Sequence, residues 1–80
     1  MKLFGYSATE VERESVVPSE LAEITLVASS TELRTIASFL LSAAEGMEKR
    51  GVKWEHEHLS DKHKEFEASP HFIVFNPDAG

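Results

Sequence analysis

Four parts of the chain have the hydrophobic pattern of a β-strand. Residues 3–6 form a short aromatic-rich run, and apolar residues occupy every second position over 21–28. A second alternating run covers 52–59. Residues 71–75 are continuously apolar after a histidine, which is typical of a central strand covered on both faces. The pattern therefore predicts four strands.

Between the second and third predicted strands the period lengthens to that of an α-helix. Ser29 and Glu32 have the spacing of a capping box, and Gly51 follows a basic last turn, so a helix is predicted from about Ser29 to Gly51. Its predicted buried stripe consists of Leu33, Ile36, Ala37, Leu40, Ala44 and Met47. Phe39 falls at the edge of that stripe, as rim packing. Gly46 indicates either a packing contact that needs a small residue or an irregular last turn.

The order β-β-α-β-β predicts an α+β fold. We expect a two-layer sandwich, in which one long helix crosses one face of a mostly antiparallel four-stranded sheet. Residues 1–80 would form a single domain, with a core over about 20–77 and an acidic loop over about 8–20. One helix covers only one sheet face, so the other face is expected to need a partner.

Composition narrows the classes of function. The 80 residues include no cysteine, which excludes disulfides and thiolate chemistry. Eight Lys and Arg against fourteen Asp and Glu give a net charge of −6, which disfavours binding to nucleic acid or to an anionic membrane. The glutamates are either ordinary solubilising surface or a surface complementary to a basic protein. Residues 1–6 are too short an apolar stretch for a signal peptide, so the cytoplasm is expected.

Histidines supply the candidate chemistry. His56, His58 and His63 have the spacing H-x-H-x4-H, and Asp61 could add an oxygen ligand, so the segment could hold a metal ion. The same histidines beside Glu57 could move protons. No phosphate loop, zincin motif or nucleophile elbow occurs, however, and partly buried histidines beside Trp54 are the favoured explanation of the pattern. We therefore expect no metal, no cofactor and no catalysis.

Five segments carry a resemblance to a known family. They are Leu21-x2-Ile24-Thr25-Leu26, Glu32-Leu33-Arg34-x-Ile36-Ala37-x-Phe39-Leu40, Ala43-Ala44-x2-Met47-Glu48, His56-Glu57-His58-Leu59-x-Asp61 and Ser69-Pro70-x-Phe72-x-Val74-Phe75-Asn76-Pro77. Together they resemble a small family of bacterial immunity proteins from polymorphic-toxin systems, over about residues 20–77. The resemblance implies a protein that neutralises a toxin by binding it, and it implies no catalytic residue.

The polar segment that joins the third strand to the following turn is the expected recognition surface. It presents His56, Glu57, His58 and Asp61 to a cognate protein toxin. Two alternatives stay open: a small metal-binding or histidine-based enzyme, and a structural homodimer.

Overall fold

A computed structural model describes residues 1–8 and 17–79 of the chain. The elements in chain order are β1 (Leu3–Gly5), β2 (Ser19–Leu21), α1 (Ser30–Arg50), a 3-10 turn (Gly51–Lys53), β3 (His56–His58), α2 (Leu59–Lys62), a second 3-10 turn (Lys64–Phe66) and β4 (Ile73–Phe75). Most of the predicted acidic loop lies outside the described residues. Within the described ranges, no helix is long and apolar enough to cross a membrane.

The fold is α+β with one long helix, as predicted, but the four-stranded sheet is wrong. The described strands form two separate antiparallel pairs, β1 with β2 and β3 with β4. In the first pair Leu3 lies opposite Leu21. In the second, His56 lies opposite Phe75 and His58 opposite Ile73. The alternation of apolar residues predicted the individual strands, but it carries no information about which strands pair.

The strand predicted over 21–28 is also wrong, because β2 already ends at Leu21, the first residue of the predicted strand. Ile24 and Leu26 instead line an open groove of about 440 Å³, together with Ile36 and Leu40 of α1. Alternating apolar side chains can be accommodated against such a groove without a ladder of strand hydrogen bonds. The same sequence pattern is therefore compatible with an extended segment that is not a strand.

Helix α1 has the predicted ends. The Ser29 backbone N–H donates to Glu32 Oε1 at 2.8 Å, and the Glu32 backbone N–H donates to Ser29 Oγ at 3.1 Å, which completes the capping box. At the other end Gly51 adopts φ +57°, where a side chain would be strained, and its N–H donates to the Met47 carbonyl. Local sequence signals therefore determine both helix ends.

The buried stripe of α1 is rotated from the predicted one. The helix buries Ile36, Phe39, Ala43 and Gly46. Phe39 is only 2% exposed, so its assignment to rim packing was wrong, whereas Leu33 and Leu40 are each 44% exposed. The helix has two adjacent apolar stripes, and the stripe that contains the large aromatic ring of Phe39 is the buried one.

The core is small. Its central cluster contains Ile36, Phe39, Leu59 and Phe66, with Phe72 and Val74 packed against it. The rings of Phe39 and Phe72 meet edge to face with centroids 6.3 Å apart. Residues from α1, α2, the second 3-10 turn and β4 thus share one cluster.

Trp54 packs against the last turns of α1 at Gly46. The indole is buried, and a Cβ atom added at Gly46 would lie 2.5 Å from Trp54 Nε1. Packing against Trp54 is therefore the reason for a glycine inside the helix. The strand predicted over 52–59 is correspondingly shortened to β3, because Trp54 turns inward before that strand begins.

Asn76 ties the end of β4 to the turn that follows α1. Its Nδ2 group donates to the carbonyls of Gly51, at 3.1 Å, and Trp54, at 2.9 Å. Its backbone N–H donates to the Glu55 carbonyl at 2.8 Å, and its Oδ1 accepts the Asp78 N–H at 3.0 Å. A buried amide with this many partners fixes where β3 starts and β4 ends.

Substitution of Gly46 with alanine should destabilise the protein. Alanine normally stabilises a helix interior by about 1 kcal/mol relative to glycine. Here we expect a net loss of about 1–3 kcal/mol, because the methyl group overlaps the indole of Trp54. Urea unfolding followed by circular dichroism measures the change. Ser42→Ala, at an exposed position of the same helix, is the control and should be neutral or slightly stabilising; equal behaviour of the two variants would contradict the packing account.

Substitution of Asn76 with alanine should cost about 2–4 kcal/mol of unfolding free energy. The change leaves the carbonyls of Gly51 and Trp54 without the amide that they bind. Thermal and urea unfolding report the loss. Asp78→Ala keeps the backbone N–H that Asn76 accepts, so it should change stability by less than about 0.5 kcal/mol.

Candidate interaction surface

The outer face of the β3–β4 pair carries a row of rings. We call it the ring face and define it as His56, His58, His71, Ile73 and Phe75. His56 stacks on Phe75 with centroids 4.6 Å apart and planes 11° from parallel. His58 meets His56 edge to face at 5.5 Å and His71 at 6.2 Å. The row runs from the end of β4 across β3 to the residues before β4.

The strand register explains why these side chains share one face. Residues directly opposite in an antiparallel pair project to the same side, so His56 joins Phe75 and His58 joins Ile73. Phe75 is 61% exposed and Ile73 43% exposed. The expectation that residues 71–75 are covered on both faces is therefore wrong. The structure does contain a sheet face that the helix leaves uncovered.

The inner face of the same pair packs on the protein. Val74 contacts the core cluster, and Glu57 lies opposite it on β3. The Glu57 side chain is only 21% exposed, and Lys62 Nζ approaches its Oε1 at 3.3 Å. That buried oxygen makes no hydrogen bond of good geometry, so the lysine acts on it through charge.

Glu55 adjoins the ring face at His56. Its Oε1 lies 3.0 Å from His56 Nδ1. An ionised carboxylate can only accept a hydrogen bond, so Nδ1 carries the hydrogen in this contact. In a neutral imidazole this leaves Nε2 as an acceptor for an incoming donor.

The structure divides the predicted recognition residues. His56 and His58 lie together on the ring face, Glu57 faces inward, and Asp61 is exposed on α2. His63, the third histidine of the predicted metal spacing, instead lies 3.5 Å from Glu65, measured from Nδ1 to Oε1. Over residues 1–8 and 17–79, no group of three or more metal-binding side chains is arranged to hold an ion.

Comparison with known families decides the classification. The family model described as Immunity protein 32 matches residues 23–77. The chain belongs to the Immunity protein 32 family. It has no significant match among curated proteins and none among solved structures.

The Immunity protein 32 match spans α1, α2 and both strands of the ring face, and it begins after β2. Sequence reasoning missed three members of that face, His71, Ile73 and Phe75. Pairing 52–59 with 71–75 as neighbouring antiparallel strands would have placed Phe75 near the histidines, but the register depends on the loop between them.

The inward position of Glu57 predicts a structural role for Lys62. Lys62→Ala should cost about 1–2 kcal/mol of unfolding free energy, because it leaves a largely buried carboxylate without its counter-charge. Lys64→Ala is the matched control, since Lys64 is 79% exposed and its pair with Glu67 should contribute within about 0.5 kcal/mol. Urea unfolding of both variants measures the difference, and equal losses would contradict the assignment.

Proposed function

We propose that this chain neutralises a cognate protein toxin by binding it, without catalysing a reaction. The observation that carries the proposal is the Immunity protein 32 match over residues 23–77. The exposed ring face and the net charge of −6 support it, because both suit association with a basic protein.

The proposed recognition surface is the segment from β3 into α2. His56 and His58 would contact the toxin through the ring face, and Asp61 would contact it from the exposed side of α2. Glu57 would act from inside, by holding Lys62 and so the junction between the strand and the helix. The proposal includes action in the cytoplasm and no binding to nucleic acid or membranes.

The chain should protect cells from the toxin encoded beside its own gene. Co-expression should restore growth, and size-exclusion chromatography with light scattering should show a complex of the two proteins. The absence of a toxin gene beside the gene for this chain would refute the proposal. A homodimer that forms no complex with the toxin would instead support the structural alternative.

Titration distinguishes binding from catalysis. With purified toxin, residual toxic activity should fall in proportion to added protein and vanish at about one molar equivalent, as expected for a tight complex. Neutralisation at a small fraction of an equivalent would show turnover and contradict the proposal. The double variant His56→Lys/His58→Lys should neutralise poorly, whereas His63→Lys, outside the ring face, should neutralise like the unmodified chain.

A further inference from the structure

The ring face combines electron-rich rings with a carboxylate. His56 and Phe75 stack in parallel, and His58 and His71 continue the row. Glu55 sits at one side, bonded to His56 and largely exposed. Aromatic faces attract cations through their quadrupole, and a neighbouring carboxylate strengthens the attraction.

These features select a cationic partner group, and arginine in particular. A guanidinium is planar, so it can stack on the face of the Phe75 ring that His56 leaves open, and the exposed Glu55 carboxylate beside His56 adds an attractive charge. The net charge of −6 attracts the same partner over longer distances. An anionic group would meet Glu55 and an acidic protein, which opposes its binding.

We propose that the ring face binds an arginine side chain of the toxin, through the open face of the Phe75 ring and the charge of Glu55. The inference rests on the proposed function, and it specifies the partner group.

Calorimetry with the purified toxin tests the inference. The double variant His58→Lys/His71→Lys, which places positive charge on the ring face, should raise the dissociation constant about tenfold or more, since like charges in contact are strongly unfavourable. His63→Lys should leave the dissociation constant unchanged, because His63 lies outside the ring face.

Two further variants, each with a matched control, test the proposed arginine contact. Glu55→Gln should weaken binding about tenfold, while Glu65→Gln, the matched change beside His63, should not. Phe75→Leu should also weaken binding, and Phe75→Tyr should preserve it because the ring is kept. Circular dichroism melts verify that each variant is folded.

The outcomes separate the two proposals. A complex that is tighter with His58→Lys/His71→Lys, or unaffected by both Glu55→Gln and Phe75→Leu, would overturn this inference and leave toxin neutralisation standing. Tighter binding by the lysine variant would specifically indicate an anionic partner group. Failure of the unmodified chain to bind the toxin would overturn both proposals.

Discussion

The arrangement of the β3–β4 pair depends on one buried side chain. Asn76 donates to the carbonyls of Gly51 and Trp54, and its backbone N–H binds the Glu55 carbonyl. The end of α1, the approach to β3 and the end of β4 therefore meet at a single amide. Trp54, packed on Gly46, fills the space beneath this junction. His56 directly follows Glu55, and Phe75 directly precedes Asn76. The hydrogen bond between Asn76 and Glu55 therefore holds the two stacked rings side by side.

The small size of the core explains why one sheet face is exposed. In a chain of 80 residues, α1 and its neighbours supply apolar side chains for only one layer of contacts, and that layer covers the inner face with Val74. A two-stranded sheet is marginally stable without such support. Ile73 and Phe75 on the outer face thus stay 43% and 61% exposed. We propose that the toxin supplies the missing layer by covering this exposed aromatic face.

Helix α1 could be predicted from the sequence because its signals are local. Ser29, Glu32 and Gly51 act within one turn of each helix end. The sheet could not be predicted in the same way, since pairing joins residues far apart in the chain. The histidine segment combines a local and a non-local signal. The alternation of residues correctly places His56 and His58 on the face opposite to Glu57. Phe75 joins that face through the strand register, and His71 joins it through the folded loop, and neither can be read from the local pattern. Phe39 was misplaced because α1 has two apolar stripes and the sequence does not rank them. That residues 1–80 form one domain stays a prediction.

The central claim is that the ring face is the surface that the toxin covers. Cross-saturation NMR tests it most directly: the toxin is irradiated in the complex, and the loss of signal is read at the amides and rings of this chain. We expect losses concentrated at His56, His58, His71 and Phe75, with His63 unaffected. Losses concentrated at Leu33 and Leu41 on the exposed side of α1, with the ring face unchanged, would contradict it.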